Sequence, residues 1–154
     1  MSTEHGRQLV EISGYPVRLD LAYFREADLW VEVVAGGRAR VGLDPLGAET
    51  SGTLAQLALV AAGTAVTRGQ PLGSLEAEKF VGPLVAPLTG SVVATNEAVV
   101  ARPSLVEEDP YGAWLVEIEL AHTEELGELV SGERVAGYFA DRVERYRKEG
   151  VLAE

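Results

Sequence analysis

Few side chains in this sequence could do chemistry. Cysteine is absent, which removes disulfides, thiolate metal sites and a cysteine nucleophile. The two histidines, His5 and His122, fall in no recognisable triad context, and no group of His and carboxylates has ligand spacing. No carboxylate pair is singled out for acid–base work, so the sequence predicts neither a catalytic residue nor a metal site. What remains is Lys79. It lies between two short apolar runs, 71–76 and 81–85, with Glu76 and Glu78 ahead of it and Phe80 behind. A lysine at a hairpin tip offers its ε-amine to solvent, and carboxylates beside it keep it solvated and give an approaching enzyme a charge pattern to read. Most lysines in such turns are ordinary surface residues, so the case for this one rests on the spacing around it.

The elements that must hold such a tip are legible as strands. Between residues 17 and 112 short runs rich in Val and Leu are punctuated by Gly, Pro and Asn, which predicts an all-β barrel or sandwich. Candidate strands are 29–34, 39–43, 52–59, 71–76, 81–85, 90–95 and 114–120. Gly36 and Gly37 supply the positive φ angles of a tight hairpin between the first two. The half before Lys79, with Gly63 and Gly69, resembles the half after it, with Pro87 and Gly90, and suggests a pseudo-twofold pair of half-sheets. Beyond residue 120 the pattern changes. Val135, Phe139, Val143 and Tyr146 recur at spacings of four, four and three, which predicts an amphipathic helix packed on the barrel. Ser131 is its candidate cap and Gly150 its terminator. Its charged residues Glu144, Arg145, Arg147 and Lys148 read as a solvated face.

Composition sets the bounds. A chain of 154 residues allows one sizeable core, and 47% hydrophobic content is that of a globular protein. With 24 acidic and 13 basic side chains the net charge is -11, which disfavours nucleic acid and anionic membranes as partners and favours basic docking surfaces. Residues 1–7 are polar and lack the apolar stretch of a leader, so the expected location is the cytoplasm. The apolar stretch at 54–62 is too short to span a membrane.

Gly63 and Gly69 stand sixteen and ten residues before Lys79, and Gly90 stands eleven after it. Those three offsets resemble the lipoyl and biotinyl attachment motif. Biotinyl domains favour Met on both sides of the lysine; here the neighbours are Glu78 and Phe80, so lipoate is the implied group. Downstream, Asn96-Glu97-Ala98-Val99, Pro103-Ser104-Leu105-Val106 and Glu108-Asp109-Pro110-Tyr111-Gly112 before Trp114-Leu115 resemble the glycine cleavage system H protein. The resemblance runs from about Tyr23 to the C-terminal helix. It implies a mainly β, lipoyl-domain-like flattened barrel or sandwich hybrid with a C-terminal α-helix: an N-terminal extension over 1–22, the H-protein domain over 23–120 and a helical segment over 121–154. Asn96 and residues 109–112 read as turn-formers and Trp114 as a core residue.

The same resemblance implies a non-catalytic carrier. Lys79 would bear lipoate, with Glu76 and Glu78 beside it, and the cargo would be an aminomethyl group. The implied partners are glycine decarboxylase, aminomethyltransferase, dihydrolipoamide dehydrogenase and a lipoate ligase or transferase. The sequence also departs from the family. A His usually stands two residues before the first Trp, in the region that shelters the loaded arm, and here that residue is Asp28; Val60 replaces a Pro, and Gly52-Thr53 a Gly-Asp pair. Two other readings follow: an H-like lipoate-binding protein carrying sulfur for a heterodisulfide-reductase-like complex, or an unmodified binding module on the same fold. A hydrolase is the weakest reading.

Overall fold

The computed structural model describes residues 9–152. The expectation drawn from residues 1–7, and His5 with it, lies outside them. Eleven strands are found among the described residues: β1 (Leu9–Ile12), β2 (Tyr15–Arg18), β3 (Ala22–Phe24), β4 (Leu29–Val34), β5 (Arg38–Leu43), β6 (Leu54–Leu59), β7 (Ala65–Val66), β8 (Pro71–Ala77), β9 (Val81–Val85), β10 (Gly90–Thr95) and β11 (Val116–Leu120). The helices are α1 (Pro45–Ser51), α2 (Glu97–Ala101), α3 (Ser104–Glu108) and α4 (Arg134–Lys148), with a 3₁₀ segment at Thr123–Glu128. The mainly β architecture with a C-terminal helix is therefore present.

The strands form a six-stranded sheet in the order β3-β4-β5-β11-β10-β7, a three-stranded sheet β6-β8-β9 and the separate β1-β2 hairpin. Of the strands nearest Lys79 on either side, β8 and β9 pair in the small sheet and β7 and β10 pair in the large one, which fits a pseudo-twofold arrangement of these four; β6 adds a third strand to the small sheet. The main core draws on both sheets. Leu57, Leu72, Leu75 and Leu84 of the small sheet and Val31, Val41, Val92 and Ile118 of the large one are buried in one cluster. Along β8, Leu72, Leu75 and Ala77 are buried while Ser74 and Glu76 face solvent, and a bulge between Pro71 and Gly73 resets the alternation.

A second cluster lies under α4. Val135, Tyr138, Phe139 and Val143 pack on Tyr23, Trp30, Leu46 and Val130, and Ile12 and Tyr15 of the β1-β2 hairpin join them. The large Trp30 ring fits because Gly42 lies opposite it in register; a Cβ there would run into the indole. Trp114 packs against this cluster but only from its edge: it is half-buried, its ring lying under the Arg40 guanidinium at 4.9 Å, while Trp30 is the fully buried tryptophan. Ser131 does not cap α4. The helix starts at Arg134, after Glu133, with no side-chain cap, whereas Gly150 ends it with φ +76. Asn96 is more than a turn-former: its Oδ1 accepts the Ala98 N–H and caps α2.

One buried polar cluster joins the layers. Asp44 is fully buried and Arg142, reaching in from α4, is 3% exposed. The Arg142 Nη1 donates to Asp44 Oδ2 at 3.0 Å and its Nη2 to Asp44 Oδ1 at 3.2 Å, and Nη2 also donates to Asp28 Oδ1 at 2.8 Å. Burial by itself would lower the Arg142 pKa, but the two carboxylates outweigh it and hold the guanidinium charged. Burial pushes the Asp44 carboxyl up to about 6, with Arg142 pulling the other way and Asp28 adding to the rise. A carboxyl raised on folding contributes stability that is fully present below the unfolded value and lost as pH rises through the folded one. Asp44→Asn should remove that component. Denaturant titrations of parent and variant should show the parent losing ground to Asp44→Asn as pH rises from about 4 to about 7.

Candidate functional site

Lys79 stands where β8 turns into β9. The Ala77 N–H donates to the Phe80 carbonyl at 2.8 Å, leaving Glu78 and Lys79 at the apex, and Glu76 pairs with Val81 just below. All three predicted residues, Glu76, Glu78 and Lys79, are exposed and close together. Phe80 is 42% and Val81 75% exposed, so an apolar strip lies next to the amine.

The spacing of the glycines has a structural cause. Gly63 and Gly69 take φ +96 and +87, and each N–H reaches back across the fold, to the Val92 and Ala86 carbonyls. Gly90 is needed for a different reason: a Cβ there would run into the Glu119 carbonyl of β11. Together they fix the strands that carry the turn.

The turn has a support that sequence reasoning missed. The Lys79 N–H donates to the Ser51 carbonyl at 2.8 Å and the Glu78 N–H to the Thr53 carbonyl at 2.9 Å. Both acceptors belong to the end of α1 and the loop after it, where no helix was expected. The signal was Asp44-Pro45, an aspartate cap followed by proline in the first helical turn: the Asp44 Oδ1 accepts the Gly47 N–H at 2.8 Å. Glu78 leans back onto this loop, its Oε1 lying 3.5 Å from the Thr53 N. Gly52 makes room for it. Gly52 has φ +77, and a Cβ there would lie 2.8 Å from Glu78 Oε1. Gly52→Ala should cost about 1–3 kcal/mol through its positive-φ extended backbone, a region nearly confined to glycine, and displace Glu78; a melting curve measures the first, and amide shifts of Glu78 and Lys79 the second.

Helix α1 divides two clefts that both reach Lys79. One, of about 400 Å³, is walled by Leu43, Leu75, Leu84 and Val85, with Phe80 at its edge and Asp28 on its lining. The other, of about 510 Å³, is lined by Tyr15, Glu49, Glu78, Glu107 and Glu108. Asp28 holds a left-handed backbone, φ +56, and its carboxylate is taken up by Arg142. Among the described residues no three His, Cys, Asp or Glu side chains come together as metal ligands would. No helix among them is long and apolar enough to cross a membrane.

The glycine cleavage H-protein family model matches residues 21–142. The chain belongs to the glycine cleavage H-protein family. It is 34% identical over 137 residues to the "Glycine cleavage system H protein 2" of Aquifex aeolicus, covering 88% of this chain and 85% of that one. It is also 34% identical over 131 residues to a "Probable glycine cleavage system H protein" of Pyrococcus horikoshii, covering 84% and 97%. Its fold matches the crystal structure of an H protein from Mycobacterium marinum with a TM-score of 0.67 at 28% identity, over 88% of this chain and all of the other. H proteins are non-catalytic lipoyl carriers, so the chain is a carrier rather than an enzyme. The residues present suit such a group: an exposed primary amine on a main-chain-braced turn, beside an apolar-walled cleft.

Proposed function

We propose that Lys79 is the lipoate attachment residue and that the chain carries an aminomethyl group between the enzymes of a glycine cleavage system in the cytoplasm. The observation that carries this is the presentation of Lys79: its amine is exposed at a hairpin apex while its own N–H and that of Glu78 are anchored to Ser51 and Thr53. A carrier needs that combination. The ligase and each later enzyme must reach the same atom, and a fixed base lets the arm sweep a defined volume at high effective concentration. When attached, lipoate supplies a dithiolane that can be reduced, loaded and reoxidised.

The chain's own residues bind and orient. Glu76 and Glu78 give the lipoate ligase or transferase an acidic pattern around the amine, and Phe80 and Val81 give it an apolar contact. The apolar walls formed by Leu43, Leu75, Leu84 and Val85 flank one side of the turn, which suits shelter of a loaded arm between visits to glycine decarboxylase, aminomethyltransferase and dihydrolipoamide dehydrogenase.

One observation favours a second reading. Asp28 occupies the place of the family's histidine, and its carboxylate is bound to Arg142, so it cannot serve the cargo as a free imidazole would. The loss of that histidine favours sulfur carried for a heterodisulfide-reductase-like complex as the alternative cargo. The discriminating experiment supplies the lipoylated chain to glycine decarboxylase with glycine, beside an H protein of known competence. Release of CO₂ dependent on the lipoylated chain supports the aminomethyl reading. No release, with the competent protein active, shifts the reading to sulfur.

A further inference from the structure

Helix α1 has seven residues, too few to hold itself in water, so its position depends on what pins its ends. At the end near the site it lends the Ser51 carbonyl to Lys79, and the loop beyond lends the Thr53 carbonyl to Glu78. At the other end it is fixed through Asp44. The Asp44 N–H donates to the Asp28 carbonyl at 2.9 Å, its Oδ1 caps the helix at Gly47, and both its oxygens take the fork of Arg142. Arg142 lies 98 residues away on α4, the helix that packs on β3 and β4. Gly47 has space for nothing larger, since a Cβ there would sit 2.9 Å from Leu43 and 3.0 Å from Asp28. The helix therefore has one seat, and the lysine turn hangs from its far end.

We infer that Asp44 and Arg142 are positioning residues for Lys79: through α1 the buried ion pair sets where the lysine turn stands relative to the two clefts, and so how the attaching enzyme meets the amine. The inference about the enzyme rests on Lys79 being the attachment site; the inference about the turn does not. The fork matters as well as the charge, because a planar guanidinium fixes both carboxylate oxygens at once while an ammonium fixes a point. The Arg142→Lys chain keeps the charge and loses the fork; Asp44→Asn keeps the cap acceptor and loses the charge.

Residue-resolved amide hydrogen exchange on the full chain tests this. In both variants the Lys79 and Glu78 amides should exchange at least ~10-fold faster than in the parent, while those of Val31, Val41 and Ile118 in the large sheet stay within ~2-fold. A core variant, Ile118→Val, provides the contrast: it should speed exchange broadly without singling out the turn. With lipoate ligase, the two pair variants should show a raised KM for the chain with kcat less affected, and Arg142→Lys should be the milder. Turn amides that exchange at the parent rate would overturn the inference. Acceleration of the turn only in step with the large sheet would also overturn it, leaving the pair a plain contributor to stability. Failure of the parent chain to accept lipoate would instead remove the attachment reading and leave the exchange result standing.

Discussion

A chain with Arg in place of Lys79 will fold as the parent does and will accept no lipoate. Among the described residues the fold holds Lys79 by its main chain, through the bond to Ser51, and its side chain is exposed, so the substitution should leave the core undisturbed. The chemistry is lost because a guanidinium stays protonated at every working pH and is no nucleophile, whereas a lysine amine can lose its proton to an attaching enzyme. Carrier activity in any reconstituted system should fall to background, a loss of at least ~1,000-fold, with the melting temperature unchanged. Charge is kept in this variant, so the experiment separates the amine's chemistry from its electrostatic effect. Glu76→Gln and Glu78→Gln should only slow attachment, since they act on recognition.

Arg142→Ala should destabilise the fold by about 3–5 kcal/mol. It leaves Asp44, with no exposure to water, as a buried carboxylate without a cation. That is a large share of the roughly 5–15 kcal/mol by which a domain of this size is stable. The variant carries its own signature in pH. Without the guanidinium the Asp44 carboxyl, already raised by burial, must rise further, so protonation relieves the defect. Chemical denaturation should show a smaller deficit near pH 5 than near pH 7. A deficit independent of pH would mean that the loss is one of packing against Tyr138 and Phe139, over whose rings the guanidinium also lies.

Strands announced themselves where one rule of spacing sufficed. β4, β9 and β10 match the expected limits, and β5, β8 and β11 differ by one or two residues, because alternating burial and glycine turns are written locally. The lysine turn was legible for the same reason. Short helices were not: α1, α2 and α3 hold five to seven residues each, less than the two turns in which a 3.6-residue period becomes visible. Their caps, Asp44 and Asn96, were the readable signals, and Pro45 marked the first. Arg142 was also readable in principle. It falls on the same face of α4 as Val135, Tyr138, Phe139 and Val143, and an arginine on an apolar stripe calls for a buried partner. Which partner could not be read, because Asp44 and Asp28 are brought to it from about 100 residues away by the packing of α4 on the sheet. The support that Ser51 and Thr53 give to Lys79 has no sequence signature, being made entirely by main-chain groups.

Whether Lys79 takes lipoate is decided by intact-mass spectrometry of the chain co-expressed with a lipoate ligase and lipoate. One lipoamide increment is expected, located by peptide mapping to Lys79 and absent from the Lys79→Arg chain. An unmodified mass beside a lipoylated H-protein control, or an increment at another lysine, would rule out Lys79 as the attachment residue.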